Sequence, residues 1–125
     1  MLKTSFHITN ILLIIFYLYP GSILGCLFYN DCNTQPSLTK DFIISSNHFF
    51  VFVIFGLIAF STFSKEKKII IAYVFFISIF LEIMHFFIPN RAFEIKDLFG
   101  NLIGVIISLI IFNSFNFWRK KYELF

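Results

Sequence analysis

The stretch "LEIMHFFIPNRAFEIKDLFGNLIG", residues 81–104, packs Glu82, His85, Arg91, Glu94, Lys96, Asp97 and Asn101 between two apolar runs. Two readings compete for it: a soluble insertion, or the turn of a helical hairpin whose arms lie in hydrocarbon. The rest of the chain decides between them. Of its 125 residues, 58% are hydrophobic and 14% charged, and the mean hydropathy is +0.85. A soluble domain of this length carries roughly 25% charged residues and has too little interior to bury so much apolar surface. Runs of about 20 apolar residues match the hydrocarbon thickness of a bilayer instead.

Four such runs are present, at residues 8–28, 42–63, 69–88 and 98–117. Each predicts a helix, because a strand edge in lipid leaves its backbone polar groups unsatisfied. The expected fold is therefore all-α: a polytopic membrane protein, one compact bundle of four transmembrane helices covering residues 1–125. Pro20-Gly21 interrupts the first run and predicts a kink there, or an early end with the chain dipping back at the interface.

Orientation follows from the basic residues, which favour the cytoplasmic side. Lys3, Lys65, Lys67, Lys68, Arg119, Lys120 and Lys121 fall on one side of a four-crossing chain, and Lys40, Arg91 and Lys96 on the other. Both termini are thus expected in the cytoplasm, in a multi-pass protein of the cytoplasmic (inner) membrane, with Trp118 and Tyr122 at the inner interface. The formal charge of +3 is too small to imply a nucleic-acid partner. "ILGC", ending at Cys26, faintly resembles a lipoprotein cleavage box, but Leu at its second position fits poorly and the run is long enough to remain a helix. Cys26 and Cys32 both fall outside, where a disulfide and free thiols are equally permitted.

This topology gathers the polar residues near one surface. Glu82 is expected about six residues below the outer end of its span, with His85 one turn above it on the same face. Asp97 opens the next helix, where a carboxylate suits the helix dipole or an N-cap. Asn101, Gly104 and Ser108 continue one stripe of that helix, suited to close packing. His48 lies at a similar depth in the second span, and Arg91 sits in the turn. A carboxylate in hydrocarbon costs at least about 2.5 kcal/mol unless protonated or paired, so Glu82 needs a partner, with Arg91 or His85 the natural choices.

The same residues resemble the VanZ-like family of small membrane proteins. That family carries a His followed by an aromatic residue and a Leu-Gly, then E-x-x-Q-x-x-x-P-x-R-x-x-x-x-x-D-x-x-x-N-x-x-G. Here "HFFVFVIFG" runs from His48 to Gly56 with Phe52 at the aromatic position, and Glu82, Pro89, Arg91, Asp97, Asn101 and Gly104 fall in register. His85 replaces the usual Gln, Phe52 lacks the hydroxyl of the commoner Tyr, and Ile44-Ser45 stand where an Asp-Lys pair is often found. The resemblance implies an envelope protein related to glycopeptide resistance through the family's founding member.

The leading expectation is a binding protein whose candidate ligand residues are Arg91, Asp97, Glu82, His48, His85 and Asn101. Arg91 would engage an anionic lipid or cell-wall precursor bidentately. An intramembrane enzyme is the alternative, with His48 or His85 as base or nucleophile, Glu82 or Asp97 orienting it and Arg91 stabilising negative charge. A purely structural subunit is a third reading. A metal centre would draw on His48, Glu82, His85 and Asp97, but Glu-x-x-His occurs once, whereas bundle di-iron sites use it twice. No metal and no cofactor is assigned from the sequence.

Overall fold

Residues 8–28 do not form one helix. In the computed structural model, which describes residues 1–37, 39–41 and 43–122, α1 (Leu2–Leu18) stops short of Pro20 and α2 (Ile23–Tyr29) leaves it at 82°. The break is local chemistry. Pro20 disfavours the helical region for the residue before it, and Tyr19 is extended at φ −67°, ψ 131°. Gly21 then takes φ +114°, a conformation other residues adopt only with strain. The Ser22 side chain accepts from the Gly25 N–H and starts α2 afresh. Cys26 and Cys32 form a disulfide that ties the end of α2 to the following loop.

Three further helices follow: α3 (Ser46–Thr62), α4 (Lys67–Met84) and α5 (Ile95–Lys121), with a short 3-10 turn at Ser64–Glu66. The described residues contain no strand. Boundaries differ from those hydropathy predicts. The span at 42–63 begins as helix only at Ser46, its first residue, Phe42, lying outside the described residues. The Ser46 N–H at that start is held by the Asp41 carboxylate at 3.0 Å, a bond that lowers the Asp41 pKa below its ordinary value. α4 ends at Met84 rather than residue 88, and α5 runs past both ends of 98–117.

By length and composition α5 is the one helix among the described residues able to cross a bilayer alone, and α1 with α2 qualifies only as a bent pair. α3 is apolar but 17 residues long, and α4 contains Lys67, Lys68 and Glu82.

The long helices alternate in direction. At one end the Thr62 hydroxyl reaches the Leu2 carbonyl, and Lys67 Nζ donates to Asn113 Oδ1 at 2.6 Å. At the other end the Ser45 N–H donates to the Lys96 carbonyl at 3.1 Å, joining the starts of α3 and α5. These two helices pack most closely. A Cβ at Gly104 would stand 2.6 Å from the Phe49 carbonyl oxygen and 2.9 Å from Phe52 Cβ, so this approach needs hydrogen at that position. Phe52, Phe55, Phe60, Val74, Leu81 and Val105 fill the interior between α3, α4 and α5. The outer faces are apolar too: Ile8, Ile11, Ile54, Phe76 and Ile110 are all exposed.

Candidate functional site

Pro20 ends α1 at the level where α4 also ends and where α3 and α5 begin, so four chain segments bring polar side chains to one end of the molecule. Glu82 stands in the last turn of α4, two residues from its end, not six residues deep. Its neighbours seal it: Glu82 is 0% exposed and His85 1%. His85 Nε2 lies 3.0 Å from the Tyr17 carbonyl oxygen, which can only accept, so Nε2 carries a hydrogen. His85 Nδ1 lies 3.2 Å from Glu82 Oε1. Both of those atoms are acceptors in their simplest forms, so one shared proton must join them. The Glu94 N–H also donates to Oε1, at 3.3 Å.

A second group lies beside this pair. The Tyr17 hydroxyl donates to Asn101 Oδ1 at 2.7 Å, and His48 Nδ1 lies 2.8 Å from that hydroxyl and 2.9 Å from Asn101 Oδ1. Asn101 cannot turn over, because its Nδ2 donates to the Ser78 carbonyl at 2.9 Å. Its oxygen therefore faces His48 and Tyr17. The Tyr17 ring stacks on His85 with centroids 5.6 Å apart and meets Phe52 edge-on.

Asp97 belongs to the first turn of α5, whose N-cap is Glu94, so the N-cap role considered for Asp97 is not the one it fills. Its Oδ2 faces His48 Nε2 at 3.6 Å, and the Ser45 side chain hydrogen-bonds the carboxylate. Arg91 does not pair with Glu82 among the described residues. It donates instead from Nε to the Tyr19 carbonyl at 3.1 Å and from Nη2 to the Phe16 carbonyl at 2.8 Å. These carbonyls belong to the end of α1, where the helix leaves its last acceptors without partners. Burial pulls the Arg91 pKa down, against the opposing pull of the nearby Tyr17, Glu82 and Asp97.

A cavity of about 650 Å³ opens beside these groups. Its lining combines Leu12 and Phe16 of α1 and Val51 and Ile54 of α3 with Asp41, His48, Arg91, Glu94, Lys96 and Asp97. Among the lining residues Lys96 pairs with Asp41 at 3.3 Å and with Glu94 at 3.4 Å. The arrangement suits a molecule with an apolar body and a polar head.

All six candidates read from the sequence thus meet at one end. His48, Arg91 and Asp97 line the cavity, while Glu82, His85 and Asn101 stand behind that surface, fully buried. Tyr17 and Ser45 were not singled out. Tyr17 offered only a phenol in an apolar run three residues before a proline, and nothing local shows that its hydroxyl meets residues 31 and 84 positions away.

A profile of the VanZ/LLP1 family matches residues 2–117. The chain belongs to that family. Comparison with curated proteins and with solved structures returned no match.

Proposed function

We propose, from that membership and the geometry above, that the chain is a polytopic protein of the cytoplasmic membrane, with both termini inside. In this reading its outward-facing cavity holds a phosphate-bearing amphiphile: a membrane lipid or a lipid-linked cell-wall precursor. α1, α3, α4 and α5 are the crossing helices, and α2 rests at the outer interface. At 1.5 Å per residue, the 17 residues of α1 reach about 25 Å, short of a 30 Å core by an amount that modest thinning accommodates. Two features support the placement. The exposed faces of these helices are apolar, and Lys65, Lys67, Lys68 and Arg119 to Lys121 collect at the end opposite the cavity. The disulfide at the cavity end fits an oxidising exterior.

The observation that carries the ligand class is the cavity's lining, which joins apolar side chains of α1 and α3 to charged ones from the helix ends and turns. Acyl or prenyl chains match Leu12, Phe16, Val51 and Ile54, and the Arg91 guanidinium is the cation offered to a phosphate, Lys96 being paired with Asp41 and Glu94. Native mass spectrometry of the protein in mild detergent tests this. A co-purifying phospholipid or polyprenyl phosphate is expected in the wild type and should be lost in Ile54→Trp, which fills the apolar part of the cavity from an exposed position. Equal retention of the same lipid by that variant, correctly folded, would remove the cavity as the site.

The enzyme reading keeps one specific support: His48 Nε2 and Asp97 Oδ2 stand together on the cavity wall, a pairing suited to proton transfer. Turnover of the retained lipid by the wild type, absent in His48→Gln, would establish it.

A further inference from the structure

Glu82 Oε2 is buried and has no hydrogen-bond partner among the described residues. A carboxyl oxygen buried without a partner costs free energy that a proton or a cation relieves, and the proton shared with His85 lies at the other oxygen. His85 Nδ1 is spent on the other oxygen, Oε1, and the nitrogen recorded opposite Oε2 is His48 Nδ1, 3.7 Å away, but that atom is already committed. Asn101 is oriented by the Ser78 carbonyl, so its Oδ1 accepts from His48 Nδ1, which therefore carries a hydrogen. In the neutral imidazole the lone pair is then on Nε2. That lone pair stands 3.6 Å from Asp97 Oδ2, an opposition of two electron-rich atoms that a positive charge between them resolves.

We infer that His48, Glu82 and Asp97 bind a divalent transition-metal ion, with zinc the best match to one imidazole and two carboxylates. One donor atom from each of the three lies within 4.8 Å of the other two. Bonds of about 2.0–2.2 Å at tetrahedral angles set donor atoms roughly 3.4 Å apart, so the separation of His48 Nε2 and Asp97 Oδ2 needs little adjustment. Glu82 Oε2, by contrast, approaches the ring at Nδ1, 3.7 Å away, and has to shift toward Nε2. The surroundings have the form that orients metal ligands. Asn101 takes the hydrogen on His48 Nδ1, and His85 with the Glu94 N–H holds the other oxygen of Glu82.

His85 is not a fourth ligand, because its Nε2 is spent on the Tyr17 carbonyl and its Nδ1 on Glu82. Three protein ligands leave one coordination position, and His48 and Asp97 line the cavity, so that position faces it. The ion neutralises carboxylates that would otherwise repel an anionic head group. This last point alone rests on the proposed lipid; the metal assignment stands without it.

The test uses the full chain in detergent, stripped with a chelator and dialysed against zinc, manganese or magnesium chloride. Metal per chain is read by plasma mass spectrometry, and stability by thermal unfolding. The expected result is about one zinc per wild-type chain, a raised unfolding midpoint with zinc, and a loss of at least about tenfold in zinc affinity for Asp97→Asn and His48→Gln. Asp97→Asn keeps the side chain's shape, and circular dichroism of the metal-free variant checks its fold. His7→Gln, exposed at the opposite end, should bind as the wild type does. A wild type with less than about a tenth of an ion per chain in all three metals, or both site variants binding zinc normally, overturns the assignment. Lipid retention measured on the chelator-stripped wild type separates the two proposals, since the cavity reading survives there even if the metal fails.

Discussion

Arg91 Nη2 donates to the Phe16 carbonyl oxygen at 2.8 Å, across 75 positions of sequence. With its second bond to the Tyr19 carbonyl, the turn between α4 and α5 grips the end of α1 at the point where Pro20 breaks it. The arginine suited to engaging a ligand is therefore already partly engaged by the protein's own backbone.

Arg91→Ala should consequently destabilise the protein as well as alter ligand retention. Hydrogen bonds from a charged donor contribute about 1.5–3 kcal/mol each, so a loss of roughly 3 kcal/mol is expected. Arg91→Lys, which reaches one carbonyl at most, should lose about half as much. Denaturant unfolding in detergent micelles reads both, and an unchanged midpoint in Arg91→Ala would show that α1 ends without this support.

Asn101 and Tyr17 should differ sharply. Asn101→Ala takes a buried partner from the Tyr17 hydroxyl, His48 Nδ1 and the Ser78 carbonyl, although the hydroxyl and Nδ1 keep each other at 2.8 Å, and should cost about 1–3 kcal/mol or more. Tyr17→Phe removes its own donor while Asn101 Oδ1 keeps His48, and should cost only about 1 kcal/mol. Comparable losses in the two variants would mean that Asn101 is not the hub of the network.

Gly104→Val should separate α3 from α5. The new Cβ would meet the Phe49 carbonyl and Phe52 Cβ, and neither backbone nor buried ring can move freely. Overpacking of this kind costs about 1–3 kcal/mol or more. Lower yield of folded protein and a reduced unfolding midpoint are expected, with Gly104→Ala milder than Val.

The Cys26–Cys32 disulfide closes a short loop, and by chain entropy its removal should cost roughly 2 kcal/mol. Both cysteines should resist maleimide until the protein is reduced. After reduction, a membrane-impermeant maleimide should label them from outside intact cells. Labelling only from inside would invert the proposed orientation.

A pH effect follows from Asp41. The Ser46 N–H, with a smaller contribution from Lys96, holds its pKa below the ordinary value. A carboxylate depressed on folding adds stability that is complete above its unfolded pKa of about 3.9 and is lost as pH falls through the folded value. Between pH 5 and pH 3 the wild type should therefore lose more melting temperature than Asp41→Asn. The difference should stay below about 2 °C, because the pair is partly exposed.

Helix as the universal conformation, the break at Pro20-Gly21 and the gathering of Glu82, His85, Arg91, Asp97, Asn101 and His48 at one end were all legible in the sequence. The reason is that hydropathy, proline chemistry and alternating helix direction are local or one-dimensional properties. Helix ends were less legible. Hydropathy carries the third span to residue 88, but α4 stops at Met84, where the N–H groups of His85, Phe86 and Phe87 tighten onto the carbonyls three residues back, Glu82, Ile83 and Met84.

Partnership was decided only in three dimensions. The sequence leaves Glu82 a choice between Arg91 and His85, and the structure gives Glu82 to His85 and Arg91 to the carbonyls of α1. Side-chain identity states what a group can donate or accept, whereas the packing of distant helices states which groups come within 3 Å. Tyr17 entered the network that way, and so did the free oxygen of Glu82 beside His48 and Asp97. The composition determined a greasy helical protein with one polar end; the packing of α1, α3, α4 and α5 determined which polar groups meet there.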